Sequence, residues 1–516
     1  PGTALHEGVD WNWETFPEFL DAIEKKDFVM DLGFMIGHGP LRSYVMGYER
    51  CQSQVDASEE EISKMSDLVT EAIESGALGF STSRTILHRD VHGVYVPGTE
   101  ASSEEMKSLA FAIDRAGEGT LEIVSDWLDK EIEMSWMKEY VEKSDCGLTV
   151  LQTSGDAVKT ILFCEEQFLK GKNVRPQFPG RNVGMMFGLE SSLHPFIGHP
   201  SYREIAELPL SERVKIMSDP AFKEKLLKEK PNFASEIEKS MNEQGSAKSK
   251  EEIQEAASLG QKLISNYETQ FILGDPPNYE PGKEDSIAAL AETKGVSELE
   301  VIYDEFLKNG GTNLVYACFT PYDNHKLDFV ERAYSLKSSV AGGSDGGAHC
   351  GLICDASMPT TNLSHWARDR EAGKKIPIEL IVRKQTKDTA ETYGLFDRGE
   401  IKTGMLADLN IIDFENLNVT HPKMVYDLPM GGRRLIQNSF GYLATVKSGE
   451  VVYESGEATG VLPGKLIRGK QTCEVKAEKE KIPFVDRTLR LMSVKAFKLL
   501  WNLRKKPAKT TVVSGD

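Results

Sequence analysis

The residues most able to do chemistry in this chain lie in one glycine-rich stretch, Val340-Ala-Gly-Gly-Ser-Asp345-Gly-Gly-Ala-His349-Cys350. An apolar run ends in two glycines, and an acid follows. That order predicts a short buried strand whose C-terminal end presents Asp345 in a tight turn. Gly342, Gly343, Gly346 and Gly347 free the backbone for conformations other residues avoid, and they let a substrate or metal come close. An acid at the C-terminal end of a barrel strand is well placed for catalysis. An ordinary Asp-Gly turn has the same local pattern. The run Phe28-Val-Met-Asp-Leu-Gly-Phe-Met-Ile-Gly-His38-Gly-Pro-Leu-Arg42 repeats the theme of strand, glycine and titratable side chain. His38 reads equally as a functional or a structural histidine. Arg42 could hold a carboxylate or phosphate in a fork, or sit in a surface ion pair.

These side chains need strands to aim them, and the chain supplies a repeating unit. Helical patterns at 10–29, 58–76, 101–116, 129–143 and 157–170 alternate with apolar runs at 76–84, 120–126, 148–154 and 174–178. Ser58-Glu-Glu-Glu and Ala101-Ser-Ser-Glu-Glu are helix-start signals. Further apolar runs at 184–190, 269–273, 312–319 and 338–342 extend the series, with helical candidates at 285–308 and 327–335. The alternation predicts a parallel sheet with crossover helices. The repeat number and the polar strand ends favour an α/β fold of the (β/α)8 TIM-type barrel over a doubly wound sheet.

The barrel is expected over 1–399, with residues 200–262 as a Lys-, Glu- and Ser-rich helical insertion, read as plain elaboration or as a lid. The loop Asp275-Pro-Pro-Asn-Tyr-Glu-Pro281 is expected at the mouth of the site. Residues 400–469 read as a small β unit, including a hairpin at Tyr442–Tyr453 with a Lys-Ser-Gly-Glu turn. The 470–516 tail is basic, and 487–504 has the pattern of an amphipathic helix that packs on the body, a partner or a membrane surface.

Composition narrows the function classes. A formal charge of −19 over 516 residues argues against a nucleic-acid partner. No apolar run reaches the ~20 residues that span a bilayer. The seven cysteines are scattered, and Cys350 and Cys354 lack a second pair to complete a zinc spacing. Reduced thiols and a cytoplasmic location are expected.

The chain resembles the amidohydrolase superfamily, in the branch of the N-acyl-D-amino-acid deacylases. The resemblance runs from Pro1-Gly-Thr-Ala-Leu-His6 to about Gly469. It is carried by Gly37-His38-Gly-Pro-Leu-Arg42, Gly76-Ala-Leu-Gly-Phe-Ser-Thr-Ser-Arg84 and Gly343-Ser-Asp-Gly-Gly-Ala-His349. Downstream it is carried by Arg383-Lys-Gln-Thr-Lys-Asp-Thr-Ala390 with Tyr393-Gly-Leu, and by Gly404-Met-Leu-Ala-Asp-Leu-Asn-Ile-Ile-Asp413. The resemblance implies a barrel with a composite β-sandwich and a divalent metal, usually zinc. It also implies hydrolysis of a small-molecule linear amide, such as an N-acyl-amino acid, by a metal-activated water. Asp345 matches the acid that takes the water's proton and returns it to the leaving amine. His38, Arg42, Arg181 and His349 are the candidate substrate contacts, the arginines for a carboxylate. The ten histidines contain no His-x-His pair, which in the family ends the first strand. The first strand and the main metal ligands are therefore expected upstream of this chain. The strand ends Val124-Ser125-Asp126 and Gln152-Thr153-Ser154 carry no histidine where the deacylases have one, which leaves the metal ligands in this chain unknown. A catalytically inactive interaction protein on the same fold is the alternative reading, and the pattern allows a homo-oligomer.

Overall fold

The computed structural model describes residues 9–89, 94–127, 129–153, 158–233, 250–472, 487–488, 490–496 and 498. The start of the resemblance at 1–6, His92, Ser154, the loose stretch at 242–248, Cys473 and most of the basic tail lie outside them.

Six strands form a parallel sheet in the order β1 (Ile36–Gly37), β2 (Gly79–Arg84), β3 (Thr120–Ser125), β4 (Gly147–Leu151), β5 (Val174–Pro179) and β9 (Val340–Gly342). Between successive members run helices α1 (His38–Met46), α2 (Glu59–Glu74), α3 (Ser103–Ala116), α4 (Lys130–Lys143) and α5 (Val158–Leu169). Their starts are fixed locally. Ser58 and Glu61 form a capping box, and the Ser102 hydroxyl accepts the Glu105 N–H. Phe80, Leu121, Ile123, Leu148 and Val150 point from the strands into a core filled by Met65, Met106 and Tyr140 from the helices. The alternation of strand and helix is thus present, and the recorded pairings run from β1 at one edge to β9 at the other.

Three apolar runs expected to continue the parallel series do not. β6 (Val183–Phe187), β7 (Gln270–Ile272) and β8 (Val315–Thr320) form a separate antiparallel sheet in the order β6-β8-β7. Only Gly180, Arg181 and Asn182 separate β5 from β6. A parallel neighbour needs a crossover of a dozen or more residues. The run at 28–37 also divides: Phe28 and Leu32 bridge to Gly464 and Leu466, and only Ile36–Gly37 enters the sheet.

The 200–262 segment forms helices at Pro200–Arg203, Leu210–Met217, Pro220–Lys228 and, running slightly beyond it, Lys250–Ile264. Tyr202, Met217 and Leu226 share a core with Phe187, Tyr303 and Phe306, so the described part is a packed layer. The helical candidate at 285–308 is two helices, Ile287–Lys294 and Glu298–Phe306, divided where Gly295 takes φ +68°.

The C-terminal unit is all β. β10 (Leu409–Ile412), β15 (Tyr442–Lys447), β16 (Glu450–Glu454) and β17 (Glu457–Ala458) make an antiparallel sheet. The β15–β16 turn has Ser448 at φ +53° and Gly449 at +86°, as a two-residue hairpin of type I′ requires. β11 (Asn418–Val419) pairs with β14 (Ser439–Phe440), and β12 (Lys423–Leu428) with β13 (Gly432–Ile436). The described part of the tail packs on the body: Val494 is buried and Lys498 pairs with Glu166. Among the described residues no helix is long and apolar enough to cross a membrane, and six cysteines are free thiols.

Candidate active site

The turn that follows β9 is open to solvent from Asp345 to His349. Gly343 (φ +81°) packs on Pro179, where a Cβ would sit 3.1 Å from the proline Cβ. Asp345 (φ +39°) and His349 (φ +46°) occupy the left-handed region despite their side chains. Non-glycine residues there cost about 1–3 kcal/mol each and persist where the surroundings dictate them. The Ala348 N–H bonds to the Asp345 carbonyl at 3.1 Å, and the Leu352 and Ile353 N–H groups bond to the His349 carbonyl at 2.8 and 2.9 Å. The turn is thus a fixed structure.

The ends of β2 and β3 bring further groups within electrostatic reach of this turn. His88 lies four residues beyond β2, and its Nδ1 is 2.6 Å from the Ser83 hydroxyl. Asp126 lies at the end of β3 and accepts the Ile86 N–H at 2.8 Å, which ties the loop after β2 to the end of β3. Crowding by the protein and the nearby His349 hold the His88 imidazole below its ordinary value, while Asp126 and Asp345 pull it upward. His349, Asp126 and Asp345 thus act on His88 at the C-terminal ends of β2, β3 and β9. His88 escaped the sequence reading, although it sits just after a strand end, as His38 and Asp345 do.

The other three expected substrate contacts lie inside the protein. His38 is 2% exposed and Arg42 1%. The His38 ring bonds to Thr82 and to Glu105, each at 2.8 Å, and Arg42 Nε lies 2.9 Å from the same Glu105 oxygen. A second arginine donor bonds to the Val55 carbonyl at 2.9 Å. Burial holds the His38 imidazole below its ordinary value despite the pull of Glu105. These two residues fasten the start of α1 to α3.

Arg181 is likewise buried. Its Nη2 donates to the Cys354 carbonyl at 2.9 Å and to Asp355 Oδ1 at 3.0 Å, and the guanidinium stacks 3.6 Å from the Tyr279 ring centre. Burial pushes the Asp355 carboxyl up to about 6, with Asp345 acting in the same sense and Arg181 opposing. Of the Asp275–Pro281 loop, expected at the mouth, Asp275, Pro276 and Asn278 are exposed, while Tyr279, Glu280 and Pro281 pack inward: Tyr279 covers Arg181, and Glu280 pairs with Arg370.

The donors near Asp345 do not amount to a metal centre. Among the described residues no three His, Cys, Asp or Glu side chains form a group that could hold a metal ion. No chemical step is therefore assigned to a metal here.

Comparison with known proteins adds an independent line. Residues 278–453 match the Amidohydrolase family, a span that includes Asp345, Asp355 and most of the C-terminal β unit. An uncharacterized protein of Mycobacterium tuberculosis is 24% identical over 477 residues, covering 87% of this chain and 72% of the relative. The D-aminoacylase of Alcaligenes xylosoxydans xylosoxydans is 25% identical over 416 residues, covering 80% of this chain and 67% of the enzyme. A solved D-aminoacylase mutant in complex with copper chloride has a similar fold, with a TM-score of 0.50 at 18% identity, over 88% of this chain and 75% of that one.

Proposed function

We propose that this chain, a hydrolase acting on carbon–nitrogen bonds in the D-aminoacylase-like branch of the amidohydrolase superfamily, cleaves a linear amide such as an N-acyl-amino acid, with Asp345 as the proton-transfer group. The observation that carries this reading is the placement of Asp345 in an exposed, fixed turn at the C-terminal end of β9, beside His349 and within reach of His88.

In the proposed reaction water adds to the amide carbonyl while its proton passes to the Asp345 carboxylate. The C–N bond then breaks, and Asp345 returns that proton to the leaving nitrogen, giving a carboxylic acid and an amine, which at neutral pH become a carboxylate and an ammonium group. His349, exposed on the same turn, is proposed to contact the substrate. His38, Arg42 and Arg181, buried and paired with Glu105 and Asp355 inside the protein, are proposed to shape the strand ends instead. A divalent metal is proposed as a cofactor on the strength of the relationship to D-aminoacylase alone, since no three His, Cys, Asp or Glu side chains among the described residues form a group that could hold one.

The test is a panel of N-acyl-D- and N-acyl-L-amino acids, assayed with the wild type and Asp345→Asn, with metal content measured on the same samples. The expected result is turnover by the wild type and loss of at least about 100-fold in Asp345→Asn, the low end of general acid–base effects, with an unchanged circular dichroism spectrum. Retained turnover in the variant would remove Asp345 from the mechanism.

A further inference from the structure

The segment from Gly343 to Ser357 is held by the end of β5 on both of its limbs. On the outgoing limb, β9 pairs with β5 through Gly342 and Pro179, and Gly343 rests on Pro179. On the returning limb, Arg181 takes the Cys354 carbonyl and the Asp355 carboxylate. Between these two grips lie Asp345 and His349, both in the left-handed region. Other ties reach the segment from β6, from Ser192 and from the C-terminal β unit: Met186 N–H to the Leu352 carbonyl at 2.7 Å, Ser192 N–H to the Gly351 carbonyl at 3.0 Å, Leu435 N–H to the Cys350 carbonyl at 2.6 Å, the Cys350 thiol to the Arg433 carbonyl at 3.8 Å and the Ser357 hydroxyl to Gln437. Arg181 is 2% exposed and Asp355 3%, and Tyr279 covers the guanidinium face. A buried ion pair is weak evidence for stability, because desolvation offsets the attraction, but it can fix one arrangement of the chain.

We propose that Arg181, acting with Asp355, is a positioning residue for Asp345: it clamps the returning limb so that the turn between the two grips keeps the proton-transfer carboxylate in register with the substrate. This rests on the reading of Asp345 given above. Arg181 itself touches no substrate, in contrast to the expectation of a carboxylate fork.

The experiment compares wild type, Arg181→Lys, Arg181→Met and the double variant R181M/D355L. It measures kcat and KM on the best substrate of the panel, urea unfolding, and hydrogen exchange at the Ala348, Leu352 and Ile353 amides. The clamp predicts a fall in kcat of about 100-fold in Arg181→Met, as a carboxylate displaced by about 1 Å would give, with KM changed less than about threefold. It also predicts faster exchange at those amides. The double variant, which leaves no unpaired buried charge, is expected to regain the urea midpoint but not kcat. Recovery of kcat together with stability would overturn the proposal, as would a KM that rises while kcat holds, which would mark Arg181 as a substrate contact. Were the wild type inert to the whole panel, the hydrolase reading would fail. Exchange alone would then decide the clamp: faster exchange upholds it, and unchanged exchange overturns it.

Discussion

Arg370 and Glu280, 90 residues apart in sequence, meet as a two-pronged ion pair, Nε to Oε2 at 2.9 Å and Nη2 to Oε1 at 3.0 Å. The His365 ring adds a contact to Glu280 Oε2 at 2.8 Å, and Glu331 takes the third guanidinium nitrogen at 2.6 Å. The arrangement fastens the loop that covers Arg181 to the helical segment at His365–Asp369. Burial alone would raise the Glu280 pKa, but the hydrogen bonds from His365 and Arg370 outweigh it and bring the carboxyl down to about 2.

That depression has a consequence for stability. Glu280 binds its proton more weakly in the folded than in the unfolded chain. Its contribution is full above the unfolded value of about 4.3 and is lost as pH falls through the folded value. Glu280→Gln is expected to lower stability by roughly 3 kcal/mol at neutral pH, at about 1.4 kcal/mol per unit. The difference should close on approaching a pH of about 2. Urea titrations of both proteins across that window measure it, and a gap that does not narrow with acid would contradict the assignment.

Glu105 serves both His38 and Arg42 and is itself fully buried. Glu105→Leu leaves the Arg42 guanidinium as an uncompensated charge inside the protein. A loss of about 3–5 kcal/mol is expected, the scale for breaking a buried pair from one side. Adding Arg42→Leu should recover part of it. Thermal unfolding of the single and double variants checks the sign of that recovery.

Much of the scaffold was legible in the sequence because period and capping are local. β2 to β5 and β9 follow from apolar runs, and Ser58 and Ser102 mark two helix starts. The antiparallel β6-β8-β7 sheet was hidden because strand runs look alike whichever way they pair. Its signal was the three-residue link after β5, too short for a crossover. The site was legible only in part. Asp345 and His349 stand in an open turn, as their glycines suggested. His38 and Arg42 carry the same local signature, yet the Glu105 that occupies them lies 67 residues beyond His38, and no spacing rule reaches so far. Arg181 was withdrawn from solvent by Asp355, 174 residues away.

Gly79 opens β2 at φ +155°, where a Cβ would lie 1.9 Å from the Thr120 carbonyl oxygen of the neighbouring strand. That neighbour is backbone within the β2–β3 ladder and cannot step aside without breaking register. Gly79→Ala is therefore expected to destabilise by at least about 3 kcal/mol, in the range of backbone strain and overpacking combined. A urea midpoint within error of the wild type would show that the close approach of the two strands is not required.

The grouping around Asp345 can be checked without any assay of activity, through the titration of His88. Its imidazole is expected to titrate below the ordinary histidine value, because crowding and the neighbouring His349 both disfavour the charged ring. The acids act the other way. Asp345→Asn removes a negative charge that favours the protonated ring, so the His88 pKa should fall further. His349→Ala removes the neighbour that disfavours the charged His88 ring, so it should rise. Two-dimensional NMR of the histidine ring protons against pH reads both shifts. Opposite movements in the two variants would establish that the ends of β2 and β9 share one electrostatic environment. A His88 titration indifferent to both substitutions would separate it from the Asp345 turn and restrict the reacting groups to that turn alone.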